Sequence, residues 1–139
     1  MLLDILPFGQ FLEIEKNIIE ATIFEGVELD SRRISQVVAG LDERYRNERY
    51  AILSNRVHRY SHTHESMQAL AELANLTGMA ILVYSSISTV AAGIHGLYQD
   101  NAKVFYSRPA AVEWLQQSLT QFDALTGPPE LRREKSAVP

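Results

Sequence analysis

Cysteine is absent from this chain of 139 residues, which excludes disulfides, thiolate metal sites, iron–sulfur clusters and thiol nucleophiles. Long apolar runs are missing as well, because a charge, a glycine or a polar cluster interrupts each one before the roughly 18 residues that a membrane-spanning helix needs. Basic residues are not in excess either, since 13 lysines and arginines stand against 17 aspartates and glutamates. The net charge of −4 argues against nucleic-acid binding, which usually relies on a basic face.

The two ends of the chain differ in composition. Residues 1–10 contain no lysine or arginine and so lack the basic start of a secretory signal, which makes the cytoplasm the expected location. The same segment is rich in leucine and isoleucine. We expect it to pack on its own domain or on a second copy, in which case the protein would be a homo-oligomer. Residues 126–139 begin with Thr-Gly-Pro-Pro, which stops a helix, and are expected to form a flexible tail. A single domain is therefore predicted for residues 11–125.

Within this domain the hydrophobic periodicity alternates between strand and helix. Phe11–Glu15 and Ile18–Phe24 are β-branched and aromatic runs on either side of Lys16-Asn17, which predicts an antiparallel hairpin. Further buried strands are predicted at Tyr50–Ser54, Met79–Tyr84 and Val104–Tyr106. Helical spacing predicts one helix after the hairpin and one after each later strand. The order ββαβαβαβα predicts an α/β fold with a mixed, mostly parallel sheet.

Several single residues indicate where these helices begin and end. Asp30, Ser85 and Ser107 are suited to helix N-caps, and Gly78 is suited to a helix stop. Gly93 and Gly96 on the third helix favour tight packing there, with a ligand contact or an early helix end as alternatives. Two aromatic residues near the end of the domain are expected to be buried or half-buried in the core. They are Tyr106 and Trp114.

Two strings in this pattern resemble the SpoIIAA-like branch of the STAS superfamily. The more specific is KVFYSRPAAVEWL at residues 103–115, which is similar to the family's closing strand and the helix with a Trp-Leu pair after it. The other is ILSNR at residues 52–56, followed by Tyr60-Ser61, which looks like the strand and loop before the family's second helix. The resemblance covers residues 11–119. It implies a SpoIIAA-like fold and a non-catalytic, partner-binding function, like that of bacterial anti-sigma-factor antagonists.

One motif of those antagonists is missing from this chain. They carry an Asp-Ser-x-Gly string at the start of the helix after the central strand, and phosphorylation of that serine switches partner binding. Here the corresponding residues 61–67 read SHTHESM. The resemblance therefore does not imply a phosphorylation switch, although Ser61, Thr63 and Ser66 remain chemically phosphorylatable.

A dense set of polar side chains follows the predicted strand at residues 50–54. Loops at the carboxyl ends of parallel strands often hold ligands, because the next helix presents free N–H groups there. The candidate ligand- or partner-binding residues are Asn55, Arg56, His58, Arg59, Tyr60, Ser61, His62 and His64, with Ser85 after the next strand and His95 on the third helix.

The residue types leave several interpretations of this loop open. The simplest is a solvated loop in which Ser61 or Thr63 caps the next helix. Alternatively, Arg56 and Arg59 could hold a phosphate or carboxylate, since each guanidinium donates two parallel hydrogen bonds.

Metal binding and nucleophilic catalysis are weaker interpretations. The three loop histidines, His58, His62 and His64, are suitable metal ligands, but their spacing is not that of a helical zinc motif. A serine nucleophile at Ser61, Ser66 or Ser85 would need a nearby base, and the Gly-x-Ser-x-Gly elbow is missing. We therefore expect no catalytic residue, no metal and no other cofactor.

The sequence thus favours a non-catalytic STAS-like interaction or regulatory module whose specific function and partner it does not identify. The alternative is a domain that binds a small anion or apolar molecule near Arg56, Tyr60 and the third helix. A metal-dependent hydrolase ranks third. Neither a nucleic-acid partner nor a membrane span is expected.

Overall fold

The computed structural model describes the backbone of residues 2–126 and the side chains of residues 5–86 and 89–121. The predicted flexible tail, residues 126–139, lies outside the described residues except for Thr126, which ends the last helix. Within residues 2–126, no helix is long and apolar enough to cross a membrane.

The described strands form one six-stranded sheet and one small two-stranded sheet. The strands are β1 (Leu2–Leu6), β2 (Gly9–Glu15), β3 (Ile18–Ile23), β4 (Glu28–Leu29), β5 (Tyr50–Asn55), β6 (Ser61–His62), β7 (Leu76–Leu82) and β8 (Ala102–Phe105). The large sheet has the order β1-β2-β3-β5-β7-β8, and β4 pairs with β6. Strand β2 runs antiparallel to its neighbours β1 and β3, whereas β3, β5, β7 and β8 run parallel. The predicted mixed, mostly parallel sheet is confirmed.

Helices connect the parallel strands and cover both faces of the sheet. They are α1 (Ser31–Tyr45), α2 (His64–Ala71), α3 (Ser86–Gly93), a single 3₁₀ turn (Ile94–Leu97) and α4 (Arg108–Thr126). Side chains of α1, α2 and α3 pack in one apolar cluster on one face. Ala111 and Leu115 of α4 pack in a second cluster on the other face.

Strand β5 shows why a continuous apolar run was the right signal for a central strand. Successive side chains of a strand point to opposite faces, so a strand covered on both sides must be apolar throughout. Ile52 belongs to the cluster with α1 and α2, while Ala51 and Leu53 belong to the cluster with α4. All three are buried.

The turn between β2 and β3 and the starts of α1 and α4 lie where the sequence predicts them. Asn17 adopts a φ of 65° between β2 and β3, a left-handed conformation that asparagine tolerates in tight turns. Asp30 caps α1, since its Oδ1 accepts a hydrogen bond of 2.9 Å from the backbone N–H of Arg33. Ser107 caps α4 in the same way, through the N–H of Ala110. These three predictions are confirmed.

The N-terminal segment forms a strand that the hairpin prediction did not include. Leu2–Leu6 is the edge strand β1, which pairs with β2 of its own sheet, and Leu6 lies opposite Gly9. Phe8, in the turn between the two strands, is buried in the cluster beneath α1. The leucines and isoleucine of this segment therefore belong to a third antiparallel strand before the parallel part of the sheet.

The predicted stop at Gly78 is wrong, because Gly78 lies inside β7 and α2 already ends at Ala71. A Cβ atom at position 78 would lie only 3.1 Å from both Ser118 Oγ and Trp114 Cζ3 of α4. Glycine is required there because the helix packs close to the strand. An isolated glycine beside an apolar run can end a helix, or it can let another element pack closely against a strand. The sequence pattern favoured the helix end.

Two further expectations about packing are wrong. Tyr106 is 69% exposed, because β8 ends at Phe105 and the chain turns outward before α4. Trp114 is half-buried against Phe105, as expected, at a ring separation of 5.5 Å.

Gly93 and Gly96 are not packing positions, since a Cβ atom at either would meet nothing within 4 Å. Gly93 instead ends α3, which was the alternative interpretation.

Candidate functional site

The small β4–β6 sheet places the loop after β5 over the apolar face beneath α1. Its ladder is continued by backbone hydrogen bonds from Ser61 to Val27 (3.0 Å) and from Thr63 to Leu29 (2.9 Å). Because side chains alternate along an extended segment, Tyr60 and His62 turn inward while Ser61 is exposed. Thr63 then caps α2 by accepting a hydrogen bond from the N–H of Ser66. Of the two caps that the sequence suggested, Ser61 and Thr63, Thr63 is the residue that caps the helix.

A narrow cavity lies between this face of the sheet and α1, with a volume of about 40 Å³. Its walls are mostly apolar. Its few polar lining residues lie in β5, in and next to β6, and in the 3₁₀ turn. The apolar lining residues are Phe11, Ile19, Ala21, Ile23, Leu29, Ile34, Val37, Leu41, Ile52, Leu70 and Met79. The polar ones are Ser54, Tyr60, His62 and His95.

Hydrogen bonds and ring contacts hold these polar side chains in place. The hydroxyls of Ser54 and Tyr60 are 3.1 Å apart and share a hydrogen bond. His62 shares a hydrogen bond of 2.6 Å between its Nδ1 and the Oγ of Ser66. The ring of His95 meets that of His62 edge-on, with centroids 4.8 Å apart. The polar group is thus a connected wall and not a set of solvated side chains.

His95 is the least satisfied member of this group. It is only 2% exposed, and its Nδ1 has no hydrogen-bond partner. A buried polar atom without a partner costs about 1–3 kcal/mol, so such an atom calls for an explanation. A ligand group beside His95 would supply one.

Both buried histidines are neutral at ordinary pH. Burial, with smaller effects of the nearby His95 and Arg56, lowers the pKa of His62 to about 3. Burial likewise lowers the pKa of His95 to about 4, with a smaller effect of the charge of Arg56. The positive charge nearest to this wall is that of Arg56, which does not line the cavity but stacks on the ring of the lining residue Tyr60.

Arg56 is buried, at 6% exposure, on the same face of the sheet as Ser54. Its guanidinium carbon lies 4.1 Å from the centroid of the Tyr60 ring, and its Nη2 donates a hydrogen bond of 2.9 Å to the carbonyl of Tyr60. Its Nε has no partner. The expectation of a solvated loop is wrong for His62, which lines the cavity, and for Arg56, which is buried against Tyr60.

Asn55, the neighbour of Arg56, points to the opposite face of the sheet. Its amide donates a hydrogen bond of 2.9 Å to Glu20, and it accepts one of 2.7 Å from the hydroxyl of Tyr84. Glu20 also pairs with Arg108 at the start of α4. Burial raises the pKa of Glu20, but the hydrogen bonds from Arg108 and Asn55 outweigh it and leave that pKa below its ordinary value. This ion pair is separate from the cavity and ties α4 to β3.

We expect Arg108→Ala to destabilise the protein by about 1–2 kcal/mol, because it leaves the mostly buried carboxylate of Glu20 without its cation. Urea unfolding at neutral pH measures this. The double variant with Glu20→Gln should recover part of the loss, since it removes the uncompensated charge. Equal stability of Arg108→Ala and the unmodified protein would contradict the structural role of the pair.

The remaining predicted site residues lie outside the cavity. Arg59 is exposed, and its backbone N–H donates to Glu25. The imidazole of His58 lies 3.9 Å from Glu25. His64 is exposed and shares a hydrogen bond of 2.8 Å with Tyr98. Ser85 is exposed just before α3, and its carbonyl accepts from Thr89. Of the two arginines in the anion hypothesis, only Arg56 reaches the site.

The metal hypothesis is not supported by this arrangement. His58, His62 and His64 contact Glu25, Ser66 and Tyr98 respectively, so the three imidazoles do not converge. Among the residues with described side chains, no group of three or more histidine, aspartate or glutamate residues could hold a metal ion.

The position of Ser66 also bears on the missing phosphorylation motif. Ser66 lies in the first turn of α2, is 0% exposed and is bonded to His62. Thr63 is engaged in capping. Of the three phosphorylatable residues named above, only Ser61 is exposed.

The described topology agrees with a solved structure of another protein. An uncharacterized protein of the DUF3478 family from Shewanella loihica PV-4, whose fold is SpoIIAA-like, is similar over 77% of this chain and 91% of its own length. The TM-score is 0.55 and the sequence identity is 11%. The chain has a SpoIIAA-like fold. At this identity the likeness concerns the fold alone, and the resemblance inferred from residues 52–61 and 103–115 is confirmed to that extent.

Sequence comparisons found no relatives of this chain. No model of a known protein family matches the chain, and no curated protein matches it.

Proposed function

We propose that the protein is a non-catalytic binding module whose ligand is a small, mainly apolar molecule held in the cavity beneath α1. The observation that carries this proposal is the uneven lining of the cavity, which is apolar except for one polar wall. Ligand pockets commonly combine an apolar surface with a few polar groups that fix orientation. The partnerless Nδ1 of buried His95 on that wall supports a ligand with a hydrogen-bonding end.

The cavity volume sets the size of the ligand. A single water molecule needs about 10–15 Å³ counted in the same way, so a cavity of about 40 Å³ takes roughly three or four non-hydrogen atoms. An apolar cavity is unfavourable for water, because its walls offer few hydrogen bonds. A short alkyl chain matches both the size and the lining.

The serine and histidine pair beside the cavity does not support catalysis. Ser66 and His62 are within hydrogen-bonding distance, like a nucleophile and its base. However, Ser66 is 0% exposed, so a substrate carbonyl would find no access to its Oγ. His62 is also oriented by the edge of the His95 ring, where a catalytic triad would have a carboxylate.

The alcohol 1-butanol is a suitable first probe for this cavity. We expect ¹³C-methyl NMR titration to give saturable shifts for Ala21, Ile52 and Met79, with a Kd of about 1 mM for five non-hydrogen atoms. The variant Ala21→Val adds two carbon atoms to the cavity wall and should weaken binding at least about tenfold.

The matched control is Ala39→Val on the exposed face of α1, which should bind 1-butanol like the unmodified protein. Urea unfolding shows whether both variants keep the fold. Unsaturable shifts in the unmodified protein, or unchanged affinity in a folded Ala21→Val variant, would reject the cavity as the binding site.

A second candidate function is binding of a protein partner, the interpretation that the sequence favoured first. It is supported by three exposed apolar side chains of α3 and the 3₁₀ turn, namely Val90, Ile94 and Leu97, of which Leu97 is 84% exposed. Exposed apolar patches tend to mark interaction surfaces. Under this function, Leu97→Ser should abolish a specific cross-link to a partner without changing the affinity for 1-butanol.

A further inference from the structure

Arg56 is a buried cation for which the described part of the chain provides no counter-ion. It is 6% exposed, and its polar contacts are the carbonyl and the ring face of Tyr60. No aspartate or glutamate with a described side chain forms an ion pair with it. Burying an unpaired charge is costly, and a buried arginine is normally matched by a carboxylate or another anion.

The groups around Arg56 cannot balance its charge. His62 and His95 both feel the charge of Arg56 and are neutral. The cavity next to them has no acidic lining residue. Two polar nitrogen atoms in this region lack partners, Nδ1 of the lining residue His95 and Nε of Arg56, whose guanidinium stacks on the lining residue Tyr60. The missing partner must therefore offer negative charge and hydrogen-bond acceptors.

Building on the proposed function, we propose that Arg56 binds the carboxylate of a short-chain monocarboxylate whose alkyl chain occupies the cavity. The apolar lining and the volume of about 40 Å³ suit a chain of three or four carbon atoms. A planar guanidinium donates parallel hydrogen bonds to the two oxygens of a carboxylate. One monovalent anion neutralises one arginine, whereas a phosphate dianion would leave a second buried charge unpaired.

Comparison of butanoate with 1-butanol tests this inference on the unmodified protein. The two probes share a propyl chain and differ at the fourth carbon, which carries a neutral hydroxyl in 1-butanol and is the carboxylate carbon in butanoate. At neutral pH we expect butanoate to bind at least about tenfold more tightly, because a charge-assisted hydrogen bond in a buried site is stronger than a neutral one. Inorganic phosphate, which lacks the chain, should not bind at the same concentrations.

Two variants of Arg56 and one matched control localise the effect. Arg56→Gln should remove the preference for butanoate over 1-butanol, and Arg56→Lys should retain part of it, because lysine keeps the charge without the planar fork. Arg59→Gln removes an exposed arginine of the same loop and should retain the full preference.

The outcomes separate this inference from the proposed function. Equal affinities of the unmodified protein for butanoate and 1-butanol would overturn the carboxylate site and leave the cavity proposal intact. Absence of binding by both probes would overturn both proposals. Binding of inorganic phosphate as tight as that of butanoate would also overturn the inference, since it would show an anion site that does not use the cavity. If Arg56→Gln does not fold, the comparison of the two probes on the unmodified protein still decides.

Discussion

Lowering the pH from about 7.5 to about 5.5 is expected to reduce the free energy of unfolding by about 2–3 kcal/mol, through His62 and His95. In the unfolded chain these histidines take up protons near their ordinary pKa of about 6.5. In the folded protein burial lowers the pKa of His62 to about 3 and that of His95 to about 4. Below about pH 6.5 the unfolded state therefore binds protons that the folded state does not.

The sign and the pH window follow from these values. The contribution of each histidine is complete above about pH 6.5 and declines by up to about 1.4 kcal/mol per pH unit below it. The decline continues until the pH reaches the pKa in the folded state, about 4 for His95 and about 3 for His62. The carboxylates with lowered pKa, Glu13, Glu20 and Asp30, lose their contributions at lower pH, starting near their ordinary values of about 4–4.5.

Urea unfolding at the two pH values measures this loss. His95→Gln should remove about half of the pH dependence, because it removes one of the two buried titrating groups. His64→Gln is the matched control, since His64 is exposed and its replacement leaves both buried histidines in place. Equal stability of the unmodified protein at the two pH values would mean that these imidazoles are not buried in solution.

Truncation of neighbouring residues in β5 should be costly on both faces of the sheet. Ile52→Ala and Leu53→Ala are each expected to lower the free energy of unfolding by about 2–5 kcal/mol, as is usual for buried aliphatic side chains. Ile52 packs in the cluster with α1 and α2, and Leu53 packs in the cluster with α4. Residues adjacent in sequence are both essential only when both faces of a strand are covered.

Chemical denaturation of the two variants tests the layered architecture. Leu97→Ala is the control, because an exposed leucine should change stability by no more than about 0.5 kcal/mol. A change of that small size for either Ile52→Ala or Leu53→Ala would be incompatible with helices on both faces.

Much of the fold could be predicted because its signals are local. Continuous apolar runs indicated the central strands, and Asp30, Thr63 and Ser107 indicated helix starts through capping chemistry. The element order was predicted from these signals, and the resemblance in residues 52–61 and 103–115 added the SpoIIAA-like fold. Gly78 shows the limit, since its role depends on how closely α4 approaches β7, and that distance is a property of tertiary packing.

The candidate site was predicted less completely. The prediction of a site in the loop after β5 treated Arg56 and Arg59 alike, whereas Arg56 is buried and Arg59 is exposed. Alternation along β5 offers a usable signal, because Arg56 lies two and four residues after the inward-facing Ser54 and Ile52. The pair of Glu20 and Arg108 had no such signal, since the two residues meet only through the topology of β3 and α4.

NOEs from a bound probe test most directly whether the cavity under α1 holds an apolar ligand. With ¹³C-labelled protein saturated with 1-butanol, the terminal methyl of the probe is expected to show NOEs to the methyl groups of Ala21, Ile52 and Met79, which line the cavity. NOEs confined to Val90, Ile94 and Leu97 on the exposed surface, or the absence of NOEs to any cavity residue, would contradict it.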